Sequence, residues 1–247
     1  MKRRIPYFSF KKINSDIQNE FELTFRSVMN SKWYILGKQL ENFENIFARY
    51  LQVKYAIGVG SGLDALHISL AALELKEDDE VILPSFSFIA TILSVIHAGA
   101  KPILVDVNPE TYALDTKSIY PYLNSKTKVI IPVHMYGYPC DMEEINDIAS
   151  RRGIYIIEDN AQAVGAEIDN QKTGSFGYVN AASFYPTKTL GAIGDGGIIT
   201  TNNEQIANKC KSLRNYGLAD KKHHQLIGYN SRLDELQAAL LAKKMKF

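Results

Sequence analysis

The chain has little net charge, few cysteines and no long apolar run, and each of these absences excludes a class of protein. Its 247 residues carry 28 lysines and arginines against 27 aspartates and glutamates, which gives a formal net charge of +1. A balance this close to zero provides no broad positive field for nucleic acid or for a membrane surface. The two cysteines, Cys140 and Cys210, lie far apart and lack the spacing of a metal site, so we expect no bound metal. We interpret both as structural thiols of a reducing compartment.

The sequence also lacks a segment that would direct it into or across a membrane. Its basic start, MKRRIPYFSFKK, has only a short apolar stretch, which Pro6 interrupts and two lysines follow, so it is not a signal peptide. The longest apolar run, 88–100, is too short to span a bilayer and includes His97. We therefore expect a cytoplasmic protein that binds neither nucleic acid nor a membrane.

What the sequence does contain is a regular alternation of helical and strand patterns. Residues 14–51 repeat apolar side chains at spacings of three and four, which predicts helices. From residue 55 onward, short apolar strands such as EVILP and IYIIED alternate with amphipathic helices. This order predicts an α/β fold with three layers, in which helices cover both faces of a mainly parallel sheet.

The last apolar pattern predicts a helix that continues to the final residue. We expect this helix to start at residue 231, with Asn230 or Ser231 as its N-cap. Its apolar face is predicted to need a partner, and it consists of Leu233, Leu236, Leu240 and Leu241.

The first candidate site is the segment GVGSGLDAL at 58–66, where a predicted strand runs into a helix. Free backbone N–H groups and the helix dipole at such a junction can hold a phosphate. The three glycines, Gly58, Gly60 and Gly62, superficially resemble a nicotinamide-binding motif. That motif also requires an acidic residue at the end of the next strand, and the strand EVILPS ends without one. A strand-to-helix turn without any ligand is the other interpretation of this segment.

Two further candidates carry charge. Glu158 and Asp159 end a buried strand, where ligands of open α/β sheets bind, and an acid there can pair with a buried cation. The alternative is a helix cap or a surface ion pair. Lys188 lies between SFYPT and TLGAIGDGG, where poor solvation favours the neutral, nucleophilic amine. The alternative is a lysine whose charged end reaches solvent.

Aromatic side chains follow the strand EVILP, in the segment PSFSFIAT at 84–91. Phe86 or Phe88 could stack on a planar ring, although each could equally be part of the core. A phosphate site, a stacking aromatic, a strand-end carboxylate and a desolvated lysine are together the four requirements of pyridoxal 5′-phosphate (PLP).

The chain resembles the DegT–StrS family of PLP-dependent sugar aminotransferases, within the aspartate aminotransferase-like fold. The resemblance extends from IPYFSF to the last residue. It is carried by the motifs GVGSGLDALHISL, DEVILPSFSFIAT, PVHMYGYPCDM, IIEDNAQAVGA, SFYPTKTLGAIGDGG, LRNYG and GYNSRLDELQAA.

The resemblance implies a role for each site residue. Lys188 would form the Schiff base with the cofactor and carry the proton, and Asp159 would pair with the pyridinium nitrogen. Phe88 would stack on the ring, and Gln162 would lie near its oxygen. The phosphate would be bound by Ser183 and by the backbone around Gly62 and Leu63, with Asn230 reaching the phosphate of the neighbouring subunit of a homodimer.

Two departures from the family pattern affect these expectations. Many relatives have threonine in place of Leu63, which offers no hydroxyl to the phosphate but retains its backbone N–H. Relatives also continue into a C-terminal domain, so the resemblance divides this chain into three parts. These are an N-terminal helical segment (1–36), a PLP-binding large domain (37–230) and the start of a helix leading to an absent domain (231–247). We therefore expect a truncated relative with weak turnover.

The resemblance implies transfer of an amino group from L-glutamate to a nucleotide-linked keto-deoxysugar, for the sugars of cell-surface polysaccharides. The residues of the motifs SGLDAL, LRNYG and GYNSRLDELQAA most resemble the branch that acts on dTDP-3-keto-6-deoxyhexoses. A dehydratase branch of the family has histidine in place of the lysine, and Lys188 argues for transamination instead. Two alternatives remain, namely a PLP-binding regulator without turnover and a nicotinamide-dependent sugar oxidoreductase.

Overall fold

The computed structural model of the chain describes residues 5–6, 8–10, 17–218 and 223–247. Its α-helices are α1 (Gln18–Ser31), α2 (Lys38–Leu51), α3 (Gly62–Ala72), α4 (Ile89–His97), α5 (Thr116–Ile119), α6 (Met142–Arg152), α7 (Glu204–Leu213) and α8 (Glu235–Lys244). Its strands are β1 (Tyr55–Val59), β2 (Glu80–Pro84), β3 (Lys101–Val105), β4 (Thr127–Ile130), β5 (Tyr155–Asp159), β6 (Glu167–Ile168), β7 (Gln171–Lys172), β8 (Val179–Ser183) and β9 (Gly197–Thr201). Short 3₁₀ turns occur at Tyr120–Tyr122 and Met135–Gly137. The predicted helical residues 14–16 lie outside the described part of the chain.

Seven strands form one sheet in the order β1-β9-β8-β5-β4-β2-β3, and β6 and β7 form a separate hairpin. Strands β8, β5, β4, β2 and β3 pair in parallel, whereas β9 runs antiparallel to both β1 and β8. Because β9 is antiparallel to both neighbours, β1 points the same way as β8. The carboxyl ends of β1, β2, β5 and β8 therefore meet at the same edge of the sheet. The predicted α/β fold with a mainly parallel sheet is confirmed.

The inner strands of the sheet are buried on both faces. Successive residues of a strand point to opposite sides, so each face has its own core contacts. Ile57, Val81 and Ile157 pack in a core cluster with α3 and α7. Their chain neighbours Ile82 and Ile156 pack on the opposite face, in a cluster that includes residues of α6. A third cluster joins β9 and β8 to α2 and α8. Apolar strands without polar alternation are therefore explained by helices on both sides.

The last helix differs from the prediction in its start and in its exposure. It begins at Glu235, so neither Asn230 nor Ser231 is its N-cap. Three of the four leucines predicted to need a partner, Leu233, Leu240 and Leu241, are already buried. Helix α8 packs against both α1 and α2, which cover this face within the same chain. The partner that this face was predicted to need is therefore supplied by the same chain, because periodicity identifies an apolar face but not what lies on it.

Both cysteines are buried and unpaired, as predicted. Burial raises the pKa of Cys210 to about 12, so its thiol stays protonated and unreactive at neutral pH. In the described part of the chain, every helix is too short or too polar to cross a bilayer.

Candidate functional site

The candidate site lies at the edge of the sheet where parallel strands end. Asp159 is the last residue of β5, Ser183 is the last residue of β8, and Ser61 follows β1 after one intervening glycine. Phe88 follows β2 by four residues and immediately precedes α4. Ligands of open α/β sheets bind beyond this edge.

The N-terminus of α3 forms a potential anion site, which we call the phosphate cradle (Gly62, Leu63 and Ser183). Ser61 is the N-cap, and its Oγ accepts a hydrogen bond from the N–H of Asp64 at 3.1 Å. The N–H of Ala65 donates to the carbonyl oxygen of Ser61. The first residues of the helix, Gly62 and Leu63, have no intrahelical acceptor for their N–H groups, so these groups can bind an anion.

The close approach of two backbone segments makes glycine necessary in the cradle. A Cβ atom on Gly62 would lie 2.6 Å from Cβ of Ser183, which is closer than real side chains allow. The Oγ atom of Ser183 accepts a hydrogen bond from the N–H of Tyr185 at 3.2 Å, so its own proton can be donated to an anion. Only glycine lets the end of β8 bring this hydroxyl beside the helix terminus.

Asp159 is a buried carboxylate, with 4% of its surface exposed. The Thr91 hydroxyl donates to its Oδ2 at 2.9 Å, and the N–H of Ala161 donates to its Oδ1 at 3.1 Å. Burial raises the pKa of Asp159, while these two hydrogen bonds and the charge of Lys188 lower it. A cationic nitrogen bound beside the carboxylate would offset its loss of hydration.

Lys188 lies in a turn after β8, where its N–H donates to the carbonyl oxygen of Tyr185 at 2.8 Å. Its side chain is half-buried. Burial lowers the pKa of Lys188, and the nearby Asp159 carboxylate opposes that effect. The two side chains are 29 positions apart in the chain but close enough in the fold to interact electrostatically. The lowered pKa increases the fraction of neutral amine, the form that attacks a carbonyl carbon.

The two residues predicted to contact a ring lie beside this pair in the fold. Phe88 is 67% exposed at the start of α4, so its ring can stack on a planar ligand. Gln162 lies three residues beyond Asp159, and its Oε1 accepts a hydrogen bond from the N–H of Tyr136 at 3.0 Å. Asn230 is exposed, and its backbone pairs with Asn215. An exposed side chain there is available to a second subunit.

The structure distinguishes the two strand-end acids, which the residue pattern alone left equivalent and of which the family resemblance selected Asp159. Glu158 is fully buried and bonds Nε2 of His134 at 2.7 Å. Its carboxylate also accepts the backbone N–H groups of Gly174, Phe176 and Gly177. The N–H of Cys140 donates to Nδ1 of His134, so Nε2 carries the proton shared with Glu158. Glu158 therefore holds loops together, whereas Asp159 interacts electrostatically with Lys188.

Sequence reasoning missed two contributors to the site. Thr91 positions Asp159 and is itself 2.7 Å from the hydroxyl of Ser87. A threonine three residues after Phe88, in the first turn of α4, is a signal that could have identified it. Ser231 contacts the segment that carries the cradle, although it had been expected to cap a helix. Among the described residues, no cluster of His, Cys, Asp or Glu could hold a metal ion.

Taken together, these groups can bind a ligand with three features. The cradle can accept a phosphate, Asp159 can pair with a cationic ring nitrogen, and the Lys188 amine can attack an electrophilic carbon. Phe88 adds an exposed aromatic face for the ring itself.

Sequence comparison relates the chain to proteins named as sugar transaminases and to one named as a regulator. A protein of Aneurinibacillus thermoaerophilus, named dTDP-3-amino-3,6-dideoxy-alpha-D-galactopyranose transaminase, is 46% identical over 98% of this chain and 67% of its own length. A UDP-N-acetyl-3-dehydro-alpha-D-glucosamine 3-aminotransferase of Acidithiobacillus ferrooxidans is 42% identical over 96% of this chain. A pleiotropic regulatory protein of Geobacillus stearothermophilus is 43% identical over 97% of it. The chain spans 64% of the length of each of the last two relatives.

Solved structures give the same relationship. The structure of DesV from S. venezuelae in complex with a ketimine intermediate superposes with a TM-score of 0.96 and 39% identity, over 99% of this chain and 66% of that one. NtdA from Bacillus subtilis, with bound cofactor PMP, superposes with a TM-score of 0.90 and 35% identity, over 99% of this chain and 57% of that one.

A sequence profile of one family covers almost the whole chain, from residue 15 to residue 247. The chain belongs to the DegT/DnrJ/EryC1/StrS aminotransferase family.

Proposed function

We propose that this chain binds PLP and carries the cofactor site of a nucleotide-sugar aminotransferase. The observation that carries the proposal is the placement of a buried carboxylate, Asp159, within electrostatic range of a half-buried lysine, Lys188, at the sheet edge that also holds the cradle. Structural relatives support it, since one of them has the related cofactor PMP bound. The residues present fit the cofactor, because each of its polar groups has a matching partner in the site.

Each residue then has a defined task. When bound, PLP supplies an electron-withdrawing ring that stabilises negative charge on the carbon next to an amine. Asp159 holds the proton on the ring nitrogen, and Phe88 and Gln162 orient the ring. Gly62, Leu63 and Ser183 bind the phosphate. Lys188 attaches the cofactor through Nζ and moves a proton at the same atom.

For the substrate we propose a dTDP-3-keto-6-deoxyhexose, with L-glutamate as amino donor. The residues of the chain's motifs support the dTDP sugar. The Aneurinibacillus relative supports it too, since its name specifies a dTDP-3-amino sugar. The Acidithiobacillus relative is named for a UDP sugar, so the assay must compare dTDP-linked with UDP-linked sugars. We further propose a homodimer with shared sites, in which Asn230 reaches the partner's phosphate, in agreement with its exposure.

A regulatory protein is the second candidate, because the Geobacillus relative is named for regulation. The two functions differ in turnover, since a regulator binds PLP without transferring an amino group from glutamate.

The test is an absorbance spectrum of the protein with PLP, before and after L-glutamate. We expect a band near that of a lysine-bound cofactor, which glutamate converts to the spectrum of the pyridoxamine form. Borohydride reduction and peptide mapping should then find the cofactor on Lys188. Lys188→Ala should abolish the adduct, whereas Lys244→Ala should retain it. Lys244 is a matched control, because burial lowers its pKa as well.

Three outcomes contradict the proposal in different ways. Absence of PLP binding would exclude the cofactor site. An adduct on another lysine would exclude the role of Lys188. A bound cofactor that glutamate leaves unchanged would favour the regulator.

A further inference from the structure

The hydroxyl of Ser231 contacts the segment that carries the phosphate cradle. Ser231 is 3% exposed and lies in the extended stretch before α8. Its Oγ accepts a hydrogen bond from the N–H of Gly60 at 2.9 Å and donates to Oδ2 of Asp64 at 2.8 Å. The backbone N–H of Ser231 donates to the carbonyl oxygen of Arg214 at 2.9 Å, which fixes the serine itself.

The position of the Asp64 carboxylate is important because it belongs to the same helix turn as the cradle. Asp64 follows Leu63 directly, in the first turn of α3. A carboxylate in a first turn favours the helix, but one that faces a bound phosphate would repel it. A Cβ atom on Gly60 would lie 2.9 Å from Oδ2 of Asp64, so the carboxylate rests against Gly60. The corresponding position at Gly62 lies against Ser183 instead.

We infer that Ser231 is a positioning residue of the phosphate cradle, which keeps the Asp64 carboxylate against Gly60 and away from the anion site. This inference rests on the proposed function, since it concerns the phosphate of the proposed cofactor. One hydroxyl performs both parts of the task, because it anchors the backbone of the β1–α3 turn and binds the carboxylate. Without it, the N–H of Gly60 loses its acceptor and the carboxylate is free to turn toward Gly62 and Leu63.

The experiment compares two ligands that differ only in the phosphate. Dissociation constants of PLP and of pyridoxal are measured for the parent protein, Ser231→Ala, Asp64→Asn and the double variant. Ser212→Ala is the matched control, because in the described part of the chain the Ser212 Oγ is buried without a hydrogen-bond partner. A melting temperature for each variant reports the integrity of the fold.

We expect Ser231→Ala to weaken PLP about tenfold, the effect of one or two hydrogen bonds and a misplaced charge. Pyridoxal affinity should change less than about twofold, because pyridoxal does not use the cradle. Asp64→Asn in the Ser231→Ala background should restore most of the PLP affinity, since the repelling charge is gone. Ser212→Ala should leave both ligands unaffected.

Equal weakening of PLP and pyridoxal would show a general structural role and overturn the inference. So would a Ser231→Ala variant with unchanged PLP affinity, or a double variant as weak as Ser231→Ala. If the parent protein binds neither ligand, the proposed function fails and the inference fails with it. If the parent protein binds PLP, the proposed function stands, whatever the Ser231→Ala variant shows.

Discussion

At the scale of single residues, ionisation of the buried Asp159 carboxylate lowers the stability of the unliganded protein. Burial raises its pKa above that of an unfolded aspartate. An acid with a raised folded-state pKa releases its proton less readily when folded, so ionisation lowers the free energy of unfolding. This cost appears as the pH rises from the unfolded pKa to the folded one, and it is fully present above the folded value. A cation bound at the carboxylate removes part of it.

Asp159→Asn should therefore separate stability from activity. We expect the unliganded variant to melt at the same or a higher temperature than the parent at neutral pH, because a buried charge is removed. Reaction of the PLP-bound variant with glutamate should slow by about 100-fold or more, because the protonated ring nitrogen loses its charged partner. Thermal melts and single-turnover absorbance measure the two effects.

Asp141→Asn is the control for Asp159→Asn. Asp141 caps α6 through a hydrogen bond from the N–H of Glu144 at 3.0 Å, and asparagine is an equally good cap. If Asp159→Asn reacted with glutamate as fast as this control, Asp159 would be a structural acid only.

At the scale of elements, helix α2 is capped by a residue from the far end of the chain. Glu235, at the start of α8, is 2% exposed. Its Oε1 accepts the N–H groups of Gly37 and Leu40, and its Oε2 accepts that of Gln39, each at 2.9 Å. The N-cap residue, Gly37, has no side chain that could do this. One buried carboxylate thus satisfies three N–H groups and fixes α8 against α2.

Glu235→Gln should destabilise the fold without touching the candidate site. Glutamine has one oxygen in place of two and no charge, so at least one N–H group of α2 loses its acceptor. We expect a loss of about 1–3 kcal/mol in the free energy of unfolding, measured by urea denaturation. Glu204→Gln, at an exposed position in the first turn of α7, is the control. Equal stability of the two variants would mean that the buried carboxylate contributes no more than an exposed one.

At the scale of the whole molecule, the proposed homodimer predicts that two defective chains repair each other. In a mixed dimer of Lys188→Ala and Asn230→Ala chains, one site combines an intact Lys188 with an intact Asn230 of the partner. The other site lacks both residues. Co-expressed chains should therefore contain reducible, lysine-bound PLP at concentrations of PLP too low to load Asn230→Ala alone.

The control for this experiment is a simple mixture of the two separately purified variants, kept too briefly for subunits to exchange. If co-expression gave no more lysine-bound PLP than that mixture, Asn230 would act within its own chain or not at all.

Local sequence determined much of this protein. Short continuous apolar runs predicted strands buried on both faces, because a strand covered on both sides has apolar residues at every position. Apolar residues at spacings of three and four predicted amphipathic helices. The residue types around Lys188, Asp159 and Gly62 indicated the chemistry proposed for the site, because few ligands require all of these groups together. These features depend on neighbours in the chain, and a sequence displays its neighbours directly.

Only the tertiary structure decided how distant segments share hydrogen bonds. Ser231 looked like a helix cap, yet its hydroxyl bonds Gly60 and Asp64, 171 and 167 positions away. Glu235 caps a helix whose first N–H partner lies 198 positions before it. Strand β9 inserts antiparallel between β1 and β8, although it follows both in the chain. A serine or glutamate has the same hydrogen-bonding groups for a near or a distant partner, so only packing of the whole chain selects the partner.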